Sequence, residues 1–384
     1  MNAVKKIKIG IDIRPLETPQ YGGVSEYINN LLPMLFEIGK DYKFVLFRNS
    51  FKKSDKNYSR FLEYDNVKLK SFRYPNKLLF FGFKFLNWPK VDKLLGGVDF
   101  MFCPHFFPIS ISKNCKRILT FHDLSFVNFP DFFDLKRRIW HKLVSPKKQV
   151  RTADKLISVS DATKQDLVKL YGIFPEKITT VYSGINKNLL NSEIMLEIKN
   201  LPPNYILSLC VIGSRKNLIS LIRAFDTLKQ NDKFGELHLV LAGGFEKFYK
   251  KKIKKEIEAS FFKDKIVLLG PVSEEQKIAL YKKAQIFVYP SLYEGFGFPP
   301  LEAMYCGVPT IVSHSTSLPE ITGGAALLID PYRPNVLAEA MEELLVDKHL
   351  HNYLLYEGRK RAEIFDWKNT AKETLRVILD SWRL

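Results

Sequence analysis

The chain has 384 residues, 46% of them hydrophobic, and a formal net charge of +18. A single core does not grow to that length, so two domains are expected, and the charge calls for an anionic partner such as phosphate or lipid headgroups. No zinc-finger, basic-zipper or RNA-sheet pattern organises the basic residues, which argues against nucleic acid, and no apolar run approaches the roughly 20 residues of a membrane-spanning helix.

Short apolar runs alternate with longer helical patterns, as in a parallel α/β architecture. Met1-Asn-Ala-Val-Lys-Lys leads straight into Ile7–Ile13, which reads as a first strand and not as a signal peptide. Tyr21-Gly22-Gly23-Val24-Ser25-Glu26 then precedes an amphipathic run to Leu35. Gly22 and Gly23 would let the backbone approach a phosphate at a helix N-terminus; a plain turn with an N-cap is the alternative. Strands are expected at Tyr42–Phe47, Val98–Phe102, Arg117–Phe121, Lys155–Val159 and Ile178–Tyr182. Between the first two, Lys77–Trp88 is apolar and aromatic, with Arg73, Lys84, Lys90 and Lys93 in or beside it, and Tyr58–Arg73 ahead of it is also basic. That pattern fits an interfacial element on anionic lipid, or a buried crossover helix with exposed lysines.

Thr120-Phe-His122-Asp123-Leu-Ser-Phe126 follows a strand and precedes a Pro-bounded loop. His122 is either structural or a contact to a ligand beyond the strand end; Asp123 orients its ring or caps the loop. Asn and Pro interrupt the pattern within Lys187–Pro203. The first domain is therefore expected at 1–190 and the second at 200–365, with strands at Tyr205–Cys210, His238–Ala242, Ile266–Leu269, Ile286–Tyr289, Thr310–Val312 and Ala326–Ile329. Arg215 and Lys216 follow the first of these and open a helix. Two fixed cations beside free amides suit a diphosphate whose negative charge grows as a bond to it breaks; a solvated surface pair is the alternative. Lys247–Lys255 reads as a solvated helix face. Cys103, Cys115, Cys210 and Cys306 form no Cys-x-x-Cys or Cys/His cluster, which fits a reduced, cytoplasmic setting without disulfide or zinc. Residues 366–384 read as a last amphipathic helix.

The densest segment is Glu294-Gly-Phe-Gly-Phe-Pro-Pro-Leu-Glu302, directly after the apolar run Gln285–Pro290. Pro299 and Pro300 suit the first turn of a helix, where amides have no intrahelical partner. Glu294 thus falls on the loop leaving a strand and Glu302 in the next helix, with an anion-binding turn between them. Two carboxylates flanking such a turn suit a ligand with hydroxyls at both ends and phosphates in the middle, the layout of a nucleotide sugar. Two solvated surface carboxylates are the alternative.

These residues resemble the E-x7-E motif of retaining glycosyltransferases of family 4 (group 1), and the likeness continues through Cys306-Gly-Val-Pro-Thr310, Ser317-Leu-Pro-Glu320 and Ala325–Asp330. The resemblance implies a GT-B fold: α/β, two Rossmann-like domains facing a central cleft, the C-terminal helix crossing back to the N-terminal domain at Phe365-Asp-Trp367. It implies that Glu302 accepts from the ribose hydroxyls, and that Glu294 lies near the transferred sugar. The amides of Gly295, Phe296 and Gly297 complete the donor contacts. Arg215 and Lys216 match the family's R-K-[GN] clamp, although Cys210 stands where the family usually has Gly, and Gly213-Ser214 replaces Glu-Pro. His122 matches H-D-x-x-F and would face the donor sugar; Gly22 and Gly23 would reach the diphosphate. No Asp-x-Asp metal motif sits on a strand end, so no metal or other cofactor is expected.

The implied reaction moves a hexose, best matched to mannose by likeness to bacterial mannosyl- and rhamnosyltransferases of surface-polysaccharide assembly. GDP-mannose is the favoured donor, with UDP-, dTDP- and ADP-sugars as alternatives. The acceptor would be a glycan or a polyprenyl-diphosphate-linked glycan, reached from the cytoplasm at an anionic membrane surface. A nucleotide-sugar epimerase, a phosphorylase or a non-catalytic scaffold on the same fold are the rival readings.

Overall fold

The computed structural model describes residues 6–17, 22–51, 58–192, 196–246 and 249–383. Tyr21 and Lys247 lie outside the described residues. The chain divides into two compact units: Met1–Gly184 with Asp366–Leu384, and Ile185–Phe365.

The first unit is built on a seven-stranded sheet ordered β3-β2-β1-β4-β5-β6-β7. Its strands are β1 (Lys8–Asp12), β2 (Lys43–Asn49), β3 (Val67–Phe72), β4 (Phe100–Cys103), β5 (Lys116–Phe121), β6 (Lys155–Ser158) and β7 (Ile178–Thr180). Each strand pairs in parallel with its neighbours. Parallel sheets are covered on both faces, which is why β4 is wholly apolar and why β1 and β5 are buried along nearly their whole length, Asp12, Arg117 and Thr120 included. β3 is a strand that the sequence pattern did not mark. It pairs with β2 along one side and forms the sheet edge, so Lys68 and Lys70 can stand in solvent, alternating with Val67 and Leu69.

The second unit repeats the plan with six strands ordered β10-β9-β8-β11-β12-β13. These are β8 (Tyr205–Leu209), β9 (His238–Ala242), β10 (Ile266–Gly270), β11 (Ile286–Tyr289), β12 (Thr310–Ser313) and β13 (Leu327–Ile329). In both sheets the order reverses beside the first strand, at β1/β4 and at β8/β11. Open α/β sheets bind ligands beyond the carboxyl ends of the strands at that reversal.

The expected domain limit at residue 190 moves to Gly184. Ile185 N donates to the Phe365 carbonyl at 3.4 Å, Lys187 Nζ to the Glu363 carbonyl at 2.6 Å, and Asn191 Nδ2 to the Tyr305 hydroxyl at 2.7 Å. These bonds place Ile185–Leu190 with the second unit.

Four helices matter below: α1 (Gly22–Ile38), α2 (Asn76–Phe81, continued by a π turn at Gly82–Leu86), α3 (Leu135–Val144) and α4 (Phe298–Tyr305). A fifth, α5 (Trp367–Asp380), returns the chain to the first unit, where Thr370 Oγ1 donates to the Tyr182 carbonyl at 2.8 Å. A Cβ on Gly184 would stand 2.2 Å from Trp367 N, so only glycine allows the two stretches of chain to meet there. The helix at Tyr249–Ala259 buries Tyr249 and Ile253 and leaves Lys250, Lys251, Lys252, Lys254 and Lys255 in solvent.

Candidate active site

At the β8/β11 reversal, two loops meet. Leu292 N donates to the Arg215 carbonyl at 2.9 Å, tying the loop after β11 to the loop after β8. Arg215 Nη1 donates to Glu294 Oε2 at 2.7 Å and to the Tyr293 carbonyl at 2.7 Å. Lys216 Nζ donates to Glu294 Oε1 and to the Tyr289 hydroxyl, and lies 4.7 Å from the Tyr289 ring centroid. Ser291 Oγ adds a bond to Glu294 Oε1 at 2.7 Å.

Lys216 is 8% exposed and Glu294 6%. Burial alone would raise the Glu294 pKa, but Arg215, Lys216 and Ser291 outweigh it and hold the carboxyl at about 2. For Lys216, burial and the adjacent Arg215 lower the pKa, while Glu294 raises it. Two cations and one carboxylate thus meet at the reversal point. The Glu294 carboxylate is committed to those cations.

Main-chain geometry is fixed as tightly. Glu294 N donates to Thr316 Oγ1 at 2.9 Å, and Ser317 Oγ bonds the Glu294 and Phe296 carbonyls at 3.0 and 2.8 Å. Thr316 sits at φ 54°, an uncommon conformation for a β-branched residue and one that clusters at functional sites. Gly297 has φ 110° and caps α4; a Cβ there would meet Leu318 Cδ2 at 2.8 Å. Pro299 and Pro300 lie in the first turn of α4, as their fixed φ allows. Gly295 is buried, and the Phe296 ring packs on Phe298 and Phe365 with centroids 5.1 and 5.8 Å away.

Glu302 lies in α4 and is also buried. Its Oε1 accepts from Lys277 Nζ at 2.8 Å and its Oε2 from the Tyr281 hydroxyl at 3.0 Å. Burial and the nearby Glu302 carboxylate raise the Tyr281 pKa well above its ordinary value, so that phenol is a donor at neutral pH. Lys277 and Tyr281 stand on one face of the helix Glu274–Lys283, one turn apart.

The remaining expected site residues belong to the first unit. His122 follows β5, and its Nε2 lies 2.8 Å from the Pro104 carbonyl beyond β4. A carbonyl only accepts, so Nε2 carries the proton and the lone pair of the neutral ring sits on Nδ1. Burial pulls the His122 pKa down to about 4, against the Pro104 carbonyl and Asp123. Asp123 does not hold the ring. Its Oδ1 accepts from Ser125 N and Oγ at 3.0 and 2.7 Å, capping the turn that follows. Gly22 and Gly23 lie in the exposed first turn of α1, with open space where a Cβ would point.

A charged group at the β1/β4 reversal was not marked from sequence. Asp12, fully buried, accepts from Arg14 N at 3.1 Å and from Arg14 Nη2 at 2.6 Å, and His105 Nε2 lies 3.1 Å from its Oδ2. Burial raises the Asp12 pKa, yet Arg14 and His105 bring it below the carboxylate range. The signal available was an Asp-x-Arg interrupting an otherwise apolar strand end. Among the described residues, no group of three His, Cys, Asp or Glu is placed to hold a metal ion.

Comparison with known proteins gives the family and the fold. Residues 194–361 match the model of glycosyl transferases group 1, and residues 21–189 that of glycosyltransferase family 4. O-antigen chain mannosyltransferase B of Escherichia coli is 27% identical over 266 residues, 68% of this chain and 69% of that protein. The serotype-specific mannosyltransferase WbdA of Escherichia coli is 30% identical over 227 residues, 57% of this chain but 28% of that longer protein. The fold is shared with sucrose-phosphate synthase of Thermosynechococcus elongatus, at TM-score 0.75 and 19% identity over 98% of this chain and all of the other. The chain has the two Rossmann-like domains of the GT-B fold and belongs to the family 4 (group 1) glycosyltransferases.

Proposed function

We propose that this glycosyltransferase moves mannose, with retention of anomeric configuration, from a nucleotide-diphosphate sugar to a glycan or polyprenyl-diphosphate-linked glycan in surface-polysaccharide synthesis. GDP-mannose is the favoured donor, and the protein works on the cytoplasmic side of an anionic membrane. The observation that carries the reading is the Arg215–Lys216–Glu294 cluster at the β8/β11 reversal, in which Lys216 and Glu294 are buried and Arg215 is half-buried. The mannose assignment draws on the two mannosyltransferases named above.

In this mechanism Arg215 and Lys216 hold the diphosphate, and Glu294 keeps both cations in place and charged. As the bond from the anomeric carbon to the phosphate oxygen breaks, the negative charge gained by the leaving diphosphate falls on the cations and the amides of Gly295, Phe296 and Gly297. The acceptor hydroxyl bonds to the anomeric carbon on the same face, and its proton passes to the departing phosphate oxygen. Glu302, oriented by Lys277 and Tyr281, accepts from the ribose hydroxyls. His122 offers its Nδ1 lone pair to a sugar hydroxyl, and Gly22 and Gly23 contribute main-chain amides to the diphosphate. No metal or cofactor takes part.

The test is nucleotide-diphosphate release from GDP-, UDP-, dTDP- and ADP-sugars with and without lipid-linked acceptors, for wild type and Lys216→Ala. Release from GDP-mannose, lost in the variant and giving an α-linked product by NMR, supports the reading. An inverted anomer rejects retention, and a chain that binds no nucleotide rejects catalysis in favour of a scaffold.

A further inference from the structure

The first unit carries an apolar surface whose two halves come from separate parts of the chain. α2 and its π turn bury Leu79 and Phe83. On the other side they expose Leu78 (68%), Phe81, Phe85 (60%) and Leu86, and Trp88 (63%) follows directly. That settles the earlier alternative: this segment is not a buried crossover helix.

α3 repeats the arrangement. Of its ten residues only Val144 is fully buried, while Trp140 and His141 pack inward on Phe106 and Phe126. Leu135 (70%), Ile139 and Leu143, spaced one turn apart, form an exposed apolar stripe. Lys136 flanks the stripe on one side, Arg138 and Lys142 on the other. From Leu135 to Lys148 there are six basic residues and no acidic one. Lys84 joins the halves: its Nζ donates to the Leu143 carbonyl and lies 5.2 Å from the Phe85 ring centroid.

Soluble surfaces scatter such side chains singly, and a contiguous patch of this kind marks an interaction site. Aromatic and leucine side chains rimmed by Lys and Arg fit the boundary of a bilayer, where rings sit at headgroup depth and cations meet phosphate. We infer that α2, its π turn and α3 form one docking surface for an anionic lipid bilayer. The inference rests on the peripheral placement proposed above and supplies its surface. The transferase reading does not depend on it, since none of these residues belongs to the proposed catalytic machinery.

The test uses the full chain and vesicles of phosphatidylglycerol with phosphatidylethanolamine, against neutral phosphatidylcholine vesicles, in a flotation assay. Wild type should float with the anionic vesicles and lose binding as salt rises. Lys136→Gln/Arg138→Gln/Lys142→Gln should weaken partitioning about a hundredfold, at about fivefold for each cation removed. Leu135→Gln/Ile139→Gln/Leu143→Gln should weaken it at least about tenfold. Both variants should keep wild-type melting curves and wild-type nucleotide release with a soluble acceptor. If wild type ignores anionic vesicles, the peripheral placement and this surface both fail. If it binds and neither variant weakens binding, the surface alone is rejected. If the apolar variant instead turns an oligomer into a monomer in sedimentation, the partner is a second copy of the chain, and the bilayer inference is overturned.

Discussion

The Tyr27 and His122 rings meet edge to face, with centroids 5.0 Å apart and planes at 83°. The same phenol ring meets Trp367 of the returning C-terminal helix, with centroids 5.8 Å apart. One fully buried side chain on α1 therefore touches both the proposed sugar-facing imidazole and the helix that closes the first unit. Tyr27→Leu removes two aromatic contacts and leaves a gap, and should lower stability by about 2 kcal/mol in urea unfolding. A fall in kcat of about tenfold at nearly constant KM would show that the ring also orients His122.

His122 makes stability depend on pH in a defined direction. Its pKa is about 4 in the folded chain against an ordinary 6.5, so the unfolded state takes up the proton first as pH falls. Stability is complete above 6.5 and declines between 6.5 and 4. Burial lowers His141 to about 4 as well, so the decline has two contributors. His122→Gln, whose side-chain amide reaches the Nε2 position and can still donate to the Pro104 carbonyl, should flatten part of that slope in melts across pH 4–7. It should also cost about a hundredfold in transfer rate with donor binding kept.

Glu294 governs a lower range. Its carboxyl titrates at about 2 instead of 4.5. The stabilisation is therefore present above 4.5 and is lost as pH falls towards 2; at about 1.4 kcal/mol per unit it is on the order of 3 kcal/mol. Burial of the Lys216 ammonium beside Arg215 takes back part of this at neutral pH. Glu294→Gln should flatten the acid limb of the stability curve. Lys216→Met leaves the buried carboxylate with Arg215 as its remaining cation and should cost about 3 kcal/mol, read as a lower urea midpoint.

Gly297→Ala tests the turn that presents the main-chain amides. At φ 110°, with Leu318 Cδ2 2.8 Å from the added carbon, the substitution should destabilise by about 1–3 kcal/mol. Donor KM should rise and kcat should fall with it, because the displaced amides hold the diphosphate in the ground state and also meet the charge that grows on it as the bond breaks. An unchanged KM with an unchanged melting point would reject that role for the turn.

Much of the fold was legible because parallel sheets bury both faces, so their strands appear as plain apolar runs. β3 escaped because an edge strand may carry Lys68 and Lys70 without cost. The Gly-Pro chemistry of 294–302 was legible for a local reason: Gly297 and the two prolines restrict the backbone of the segment that contains them. The partners of that segment were not legible. Arg215 reaches Glu294 across 79 positions of sequence, and Lys277 reaches Glu302 across 25, because β8 and β11 are neighbours in a sheet whose order reverses between them.

The sequence by itself determined two α/β domains, their family and the turn at 294–302, since these depend on hydrophobic periodicity and local backbone restriction. Only tertiary structure decided which charges meet and which apolar faces stay uncovered. The periodicity of α3 marks a Leu135–Ile139–Leu143 stripe, but whether a stripe is core or surface depends on what packs over it. Here Phe106 and Phe126 cover the opposite face.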